Sequence, residues 1–443
     1  MCGDDKFINT SANTQNPSQE QEEAMTSILS TSNAEQYYSQ GLRGRFQVDA
    51  LRIPTIASPS QKFADIDYEF TEEDYRKRTE AVLRAGGLET HLPAGFPRAV
   101  DGPMTWSGAD FPNEDAYVVH LTDEWKAEIK SALDHFLSLG LPNTVVGPAN
   151  FPLPTLGPRL IQIRDDIYYG RGFSILRGLD VDSYSNEDGI TVCLGITSYV
   201  APTRGKQNQR GDMIMHVINT DEDDVVANKT VEKPFHTDTV CDVLCLFTKA
   251  CASVGGRSVM ASVGKVYNEI AATRPDIIHA LVKPDWPFDT YGRSPAYYKR
   301  ALLYHQDERL LMNFSRRLLT GSAPRDPRSP GIPGLTERQA EALDAVHAIS
   351  RAHEIRTVMM KGDIRFLNNM GIVHRRESFE DGEGSRRHLV RLWLNNEEHC
   401  WKLPAPLRLA WARVFEDEER ETHWAFSPFG KDGKYLRPTV SCD

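Results

Sequence analysis

The chemistry of this sequence is concentrated first at residues 234–238, where His236 and Asp238 stand two positions apart. Residues two apart on a β-strand point to the same side of the backbone. An imidazole and a carboxylate on one face can bind a divalent metal. A second histidine from elsewhere would complete a 2-His-1-carboxylate set with open positions opposite, an arrangement that suits non-haem Fe(II). The pair therefore calls for a third ligand, a co-substrate anchor and a scaffold to position them.

The pair is weak evidence by itself. With 13 histidines and 62 acidic residues in 443, chance produces roughly two histidine-x-acid pairs in a chain of this length. The other pair is His305 and Asp307, which has leucines on both sides. That pattern predicts the solvated tip of a β-hairpin without chemistry. His236 and Asp238 need support from other parts of the chain.

Composition excludes several classes of partner. A net charge of −11 argues against nucleic acid, because no basic excess is present to offset phosphates. No apolar run approaches the length of a membrane span. Seven cysteines without a C-x-x-C pair indicate free thiols, with Cys241 and Cys245 buried in an apolar run. A reducing compartment, the cytoplasm, is therefore expected, and a homo-oligomer is compatible with the sequence.

The chain divides into an extension and one large domain. Residues 1–61 are rich in polar side chains and read as a flexible extension, with a short helix around residues 19–29. Residues 62–443 are interpreted as a single domain with an insertion at about residues 276–330. Apart from the hairpin at His305, no clear element is predicted in this insertion, which is typical of a segment that covers an active site or contacts a partner.

Helices and strands alternate through the large domain. Residues 122–139 show the clearest helical period, with a cap at Thr122 or Asp123 and Gly140 after the end. Short strands separated by glycine turns indicate a barrel or sandwich. Further helices are predicted at residues 75–84, 185–199, 263–273 and after the capping box at 336–339. Strands are predicted at residues 172–178, 213–218, 243–247, 257–262, 357–360, 364–369 and 388–394.

Five motifs occur in one order: the pair at 236–238, a Gly-Gly-Arg-Ser turn at 255–258, a Gly-Asp to Asn-Asn segment at 362–369, His374, and an arginine strand at 387–391. This set resembles the TauD/TfdA family of Fe(II)- and 2-oxoglutarate-dependent dioxygenases, in particular its longer fungal-type, clavaminate synthase-like members. The resemblance covers roughly residues 170–396. It implies a mainly β fold with flanking helices and a double-stranded β-helix (jelly roll) core.

The resemblance also implies roles for particular residues. His236, Asp238 and His374 would be the iron ligands and catalytic residues, and the cofactors would be Fe(II), 2-oxoglutarate and O2. Arg387, aided by the hydroxyl of Ser258, would hold the distal carboxylate of 2-oxoglutarate. Threonine is the common family residue at the latter position, and serine keeps the hydroxyl.

Other roles stay open at this stage. Arg391 shares a strand face with Arg387, and a buried guanidinium requires an anion. The resemblance implies that Arg391 contacts an anionic group of the substrate, but the loop before Arg387 varies in length, so the two roles are exchangeable. His216 is either near the substrate or a satisfied core histidine. Asn368 and Asn369 either support His374 through hydrogen bonds or bind backbone at a strand bend.

The leading hypothesis is an oxygenase that acts on a C–H bond of a small carboxylate-bearing, anionic or zwitterionic substrate, such as an amino acid, in specialised metabolism. Its outcome is hydroxylation, desaturation, or ring closure, including C–N closure to an aziridine. Two alternatives are a non-catalytic jelly-roll binding module with a vestigial site and a zinc hydrolase. The complete ligand and arginine set disfavours the first, and the lack of a His-Glu-x-x-His signature disfavours the second.

Overall fold

A computed structural model describes residues 41–46, 63–218, 230–238, 240–291, 295–323, 326–383 and 386–430. Ten α-helices lie in these ranges: α1 Gly41–Arg45, α2 Glu72–Ala85, α3 Asp123–Ser138, α4 Gly157–Tyr168, α5 Asn186–Thr197, α6 Val263–Thr273, α7 Pro275–Val282, α8 Arg316–Thr320, α9 Glu337–Ala352 and α10 Arg408–Phe415.

The strands of the described ranges are mostly short. They are β1 Val118–His120, β2 Phe173–Arg177, β3 Thr203–Arg204, β4 Met215–Ile218, β5 Lys233–His236, β6 Val243–Ala250, β7 Val254–Gly255, β8 Ser258–Ser262, β9 Trp286–Asp289, β10 Tyr297–Arg300, β11 Leu303–Gln306, β12 Arg309–Met312, β13 Ile355–Thr357, β14 Ile364–Asn368, β15 Ile372–Arg376, β16 Phe379–Glu380 and β17 His388–Asn395.

Helix ends follow the capping chemistry of the sequence. The hydroxyl of Thr122 accepts a hydrogen bond from the backbone N–H of Trp125 at the start of α3. Helix α9 begins with a complete capping box, in which Thr336 and Gln339 exchange side-chain-to-backbone hydrogen bonds. Both starts were predicted, because side-chain acceptors satisfy N–H groups that have no partner in the first turn. The helix predicted at residues 263–273 matches α6.

Two β-sheets form the scaffold. The larger has the order β1-β2-β14-β6-β17-β3, with β4 also paired to β17, and the smaller has the order β13-β8-β15-β5. Apolar side chains from both sheets meet between them, including Leu244, Leu367 and Trp393 of the larger sheet and Met260 and Ile372 of the smaller. This is the double-stranded β-helix core with flanking helices that the sequence indicated.

Helices cover the outer face of each sheet. On the larger sheet, Phe136 of α3, Ile163 of α4 and Leu194 of α5 pack against Phe366 and Leu392, and all five side chains are almost completely buried. Removing one such side chain from water contributes about 1.5–3 kcal/mol. The smaller sheet is covered in the same way by α6, α7 and α9. The two layers hold the sheets in a fixed relation around their shared interior.

The prediction for residues 276–330 was wrong in one respect. The hairpin around His305 is confirmed as β11 and β12, but the segment also contains most of α7, the β9–β10 pair and α8. Its apolar side chains, such as Trp286 and Leu303, join the cluster that includes Val259 of β8. Prolines at both ends of the segment obscured its short elements in the sequence.

The N-terminal extension is described only at residues 41–46, where Arg45 forms an ion pair with Glu416 at 2.5 Å. The helix predicted around residues 19–29 lies outside the described residues. Among the described cysteines, Cys241 and Cys245 are buried free thiols, as expected. No helix in the described ranges combines the length and apolar character that a bilayer span requires.

Candidate metal centre

Three side chains from two strands and one loop converge between the sheets. His236 ends β5, Asp238 follows two residues later, and His374 lies in β15 directly opposite His236 in the antiparallel register. The two imidazole rings have centroids 4.3 Å apart. His236 and His374 are far apart in the sequence, but strand pairing brings them together, since cross-strand partners place their side chains on the same face.

The distances suit one divalent ion. Oδ1 of Asp238 lies 3.8 Å from Nε2 of His236 and 3.6 Å from Nε2 of His374. Each residue of this group offers one ligand atom, and all three atoms lie within 4.8 Å of one another. Two donors bound to the same ion at about 2.1 Å can be at most ~4.2 Å apart, and both carboxylate–imidazole distances lie below that limit. Two imidazoles and one carboxylate on one side of an ion form the donor set typical of non-haem Fe(II).

Neighbouring groups orient two of these side chains. Nδ1 of His236 lies 2.9 Å from the carbonyl oxygen of Pro234, which selects the tautomer that turns Nε2 towards Asp238. Oδ2 of Asp238 accepts a hydrogen bond from the indole N–H of Trp393 at 2.6 Å and pairs with Nη1 of Arg391 at 3.0 Å. These contacts direct Oδ1, the other carboxylate oxygen, towards both histidines.

The backbone around Asp238 is held by Asn369. Its side-chain oxygen accepts a hydrogen bond from the N–H of Asp238 at 2.8 Å, and its amide donates to the carbonyl oxygens of Asp238 and Cys241. Asn368 likewise accepts hydrogen bonds from two backbone N–H groups, those of Met370 and Gly371. The asparagines therefore bind backbone, the second of the two alternatives, and Asn369 supports the carboxylate ligand instead of His374.

Trp393 was missed in the sequence analysis. It stands two residues after Arg391 on β17, and the two-residue period of a strand puts both side chains on one face. That period was the available signal for a hydrogen-bond donor at the metal centre. The apolar character of the strand favoured an interpretation as core packing instead.

Arg391 lies at the candidate metal centre itself. Besides Asp238, its guanidinium contacts the side-chain oxygen of Gln207 at 2.9 Å and the sulfur of Met215 at 3.1 Å. A guanidinium carries five N–H donors, so these bonds are compatible with a further contact to a substrate anion. Arg391 is 8% exposed, which makes it a buried cation paired with a ligand carboxylate.

Arg387 lies beside the double-glycine turn. A Cβ on Gly256, which has a φ of +69°, would lie 3.2 Å from Nε of Arg387, so glycine serves both the turn and the close approach. The guanidinium packs over the ring of Phe379 at 5.4 Å. Burial, with the charges of Arg376 and Arg365, lowers the pKa of Arg387 to about 9. Ser258 is buried two residues beyond the turn, in register with Arg376.

His216 is not brought to this group. In the register of β4 with β17, His216 lies opposite Val390, and its neighbour Met215 lies opposite Arg391. Its ring contacts Nε2 of His388 and the carbonyl oxygen of Ala425, both at 2.8 Å. Burial lowers the pKa of His216 to about 4. The geometry agrees with the alternative of a satisfied core histidine, on the sheet face that points away from the ligands.

The fold and the site define a jelly-roll protein with a candidate 2-His-1-carboxylate centre, and comparisons with known proteins give the family. The model described as "Taurine catabolism dioxygenase TauD, TfdA family" matches residues 138–393. Taurine hydroxylase-like protein SAT17 of Stachybotrys chartarum is 33% identical over 361 residues, covering 79% of this chain and 93% of that protein. The FR-33289 synthase of Streptomyces rubellomurinus is 25% identical over 317 residues, covering 68% and 91%.

The chain therefore belongs to the TauD/TfdA family and is a 2-oxoglutarate-dependent dioxygenase that uses Fe(II) and O2. Among solved structures, an asparagine oxygenase in complex with Fe(II), hydroxyasparagine and succinate aligns with a TM-score of 0.49 at 17% identity, covering 63% of this chain and 93% of that chain. The non-heme iron oxygenase OrfP in complex with Fe and alpha-ketoglutaric acid aligns with a TM-score of 0.46 at 15% identity, with the same coverage.

Proposed function

We propose that His236, Asp238 and His374 hold the Fe(II) of this dioxygenase. The observation that carries the proposal is the meeting of Oδ1 of Asp238 with Nε2 of both histidines at 3.6–3.8 Å. When bound, Fe(II) supplies the oxidising chemistry that couples decarboxylation of 2-oxoglutarate to attack on a substrate C–H bond. The protein positions the carboxylate ligand through Trp393 and Asn369 and keeps the centre between two packed sheets.

Arg387 and Ser258 are the proposed anchor for 2-oxoglutarate. Arg387 is 4% exposed and Ser258 is 5% exposed, and both flank the turn at Gly256. A buried guanidinium gains most from a carboxylate, which matches its planar fork with two parallel hydrogen bonds. Arg387 directly precedes β17, and Arg391 lies four residues later within that strand. In the proposed binding mode, 2-oxoglutarate extends from the metal towards Arg387.

Arg391 is the proposed contact for an anionic group of the substrate, because its guanidinium is buried and pairs with the carboxylate of Asp238 at 3.0 Å. A small anionic or zwitterionic substrate, with an amino acid as the preferred class, fits that charge. The similarity to a taurine hydroxylase-like protein supports the same size and charge, since taurine is a small amine-bearing acid. The proposed setting is specialised metabolism, and the outcome is hydroxylation, desaturation or ring closure.

Residues 62–443 are proposed to form one dioxygenase domain, with residues 276–330 as an insertion. Support comes from backbone pairing between the end of this insertion and the ligand segment. The N–H of Thr237 donates to the carbonyl oxygen of Phe314 at 2.7 Å, and Ser315 forms an isolated bridge with His236. The insertion thereby contributes to the placement of two metal ligands.

The test is a screen of amino acids and small amino-sulfonates for stimulated succinate formation, followed by product mass. Addition of one oxygen atom identifies hydroxylation, whereas loss of two hydrogens identifies desaturation or ring closure. His236→Ala must abolish the stimulated reaction. His305→Ala is the matched control, since it changes the other histidine-x-aspartate triplet, in the β11–β12 hairpin. Equal activity of the two variants would contradict the proposed ligand set.

A further inference from the structure

A second buried arginine lies on the inner face of the larger sheet, and the family resemblance assigns it no role. Arg365 of β14 is in register with Leu246 of β6. On the other side, Arg391 of β17 is in register with the same leucine. Cross-strand partners share a face. Arg365 therefore points into the same interior as Arg391, which contacts Asp238.

The charge of Arg365 is deeply buried and unsatisfied. Its side chain is 1% exposed, and Nε, Nη1 and Nη2 have no hydrogen-bond partner within the described part of the chain. The neighbouring carboxylate, Asp363, is bound at both oxygens by Arg177, at 2.9 and 3.0 Å. A buried cation without an acceptor is strongly unfavourable, so this position requires an anion.

Arg387 shows the same deficit nearby. Its Nε has no hydrogen-bond partner among the described residues, and its Nη2 lies 3.9 Å from the sulfur of Met359. Burial and the Asp363 carboxylate raise the pKa of Cys251, and the charges of Arg387 and Arg365 both oppose that rise. Cys251 thus lies within electrostatic reach of both guanidinium groups, which places them at one end of the barrel interior.

Two neighbouring buried cations repel each other, and one carboxylate between them offsets both. We propose that Arg365 is a second arginine for the distal carboxylate of 2-oxoglutarate, which it binds together with Arg387. The inference rests on the proposed function, because it assumes that 2-oxoglutarate extends from the metal towards Arg387. It adds a specificity-determining residue, since two guanidinium groups make the site dependent on a co-substrate that carries a distal negative charge.

The consequence is a strong preference for 2-oxoglutarate over 2-oxopentanoate, which has the same chain and keto acid but no distal carboxylate. The ratio of their dissociation constants isolates the contribution of the distal carboxylate. Calorimetry of the anaerobic Fe(II) protein, without substrate, measures this ratio independently of turnover. Arg365→Leu removes charge-assisted hydrogen bonds to the distal carboxylate and is therefore expected to lower this ratio about ten-fold or more. Arg365→Lys keeps the positive charge but lacks the planar guanidinium. Its ratio of dissociation constants is expected to lie between those of the wild-type protein and Arg365→Leu.

The control is Phe366→Leu, which changes the next residue of the same strand on the opposite face and must leave the ratio unchanged. Arg387→Leu must lower the ratio if the proposed anchor is correct. If Arg365→Leu leaves the ratio unchanged, the inference is overturned while the proposed function stands. Weaker substrate binding at an unchanged ratio would also overturn it, by assigning Arg365 to the substrate. Failure of the wild-type protein to bind 2-oxoglutarate at all would overturn the proposed function itself.

Discussion

The two ends of the barrel interior differ in how well their polar groups are satisfied. At the metal end, the carboxylate of Asp238 accepts a hydrogen bond from Trp393, and the backbone N–H of Asp238 donates one to Asn369. A backbone carbonyl orients His236. At the cationic end, Arg365 and Arg387 are buried, with guanidinium nitrogens that no described residue satisfies. Protein groups satisfy the polar atoms of the first end, whereas we propose that a bound anion satisfies those of the second.

This difference separates two physical contributions to catalysis. Prearranged ligands lower the cost of forming the metal centre, because their orientation is set by folding. Unsatisfied buried cations raise the free energy of the ligand-free protein. Binding of a carboxylate relieves this unfavourable state, which strengthens the binding. The metal end should therefore respond most to changes of ligand geometry, and the cationic end to changes of co-substrate charge.

The largest effect is expected at the carboxylate ligand. In Asp238→Asn, Trp393 and Arg391 would hold the amide oxygen, which turns the NH2 group, a poor metal ligand, towards the histidines. Fe(II) affinity is expected to fall more than about 100-fold, beyond the loss seen for supporting residues. Asp307→Asn is the matched control in the hairpin triplet, and anaerobic metal titration compares the two. Similar Fe(II) affinities in the two variants would contradict the role of Asp238 as a metal ligand.

The next effect concerns the cationic end. Arg387→Met is expected to raise the dissociation constant for 2-oxoglutarate about 10- to 150-fold, because hydrogen bonds to charged groups contribute about 1.5–3 kcal/mol. Fe(II) affinity should stay unchanged, since the protein alone arranges the metal end. Arg413→Met serves as control, because Arg413 also packs over an aromatic ring at 5.4 Å, that of Tyr298. A loss of Fe(II) affinity in Arg387→Met would show that the two ends are not separable.

A smaller effect is expected when only the orientation of a ligand is disturbed. Trp393→Phe keeps the aromatic packing but removes the hydrogen bond to Oδ2 of Asp238, and Fe(II) affinity is expected to fall about ten-fold. Trp286→Phe is the matched control, because Trp286 is equally buried and its indole N–H donates to the carbonyl oxygen of Ala280. Equal metal affinities in the two variants would mean that the Trp393 contact does not position the carboxylate.

The smallest effect lies outside both ends, in the histidine pair. Burial lowers the pKa of His216 to about 4 and that of His388 to about 3, from an ordinary value near 6.5. Between those values the unfolded chain binds more protons than the folded one, so stability falls as pH falls from about 6.5 towards 4. Each histidine contributes at most about 1.36 kcal/mol per pH unit. In His388→Gln the slope of unfolding free energy against pH should decrease, and an unchanged slope would rule out this contribution.

Much of the scaffold was predictable because its signals are local. Thr122 and Thr336 cap helices through contacts within one turn, and the strands of the barrel carry apolar runs between glycines. Spacing and order in the chain also marked the proposed ligand set, and the structure brings its three side chains together. The family comparison confirms the resemblance drawn from those motifs. The short strands β9 and β10 were not predicted, because their sequences lack a clear period.

The supporting contacts were less accessible because they depend on strand register. Arg365 and Arg391 flank Leu246 only after β14 and β17 have paired with β6. Likewise, His216 and Met215 are adjacent in the chain but lie on opposite faces of the sheet. A one-residue difference in strand register decides which of them contacts Arg391. The local sequence pattern does not determine the strand register, and a register shift of one residue moves every side chain of a strand to the other face.

The most direct test of the central claim is an anaerobic titration of the protein with Fe(II) in the presence of 2-oxoglutarate, followed by visible charge-transfer absorption. We expect a band that saturates at one Fe(II) per chain and is absent in His374→Ala. A His374→Ala protein that develops the same band at the same stoichiometry would contradict the assignment of the metal centre.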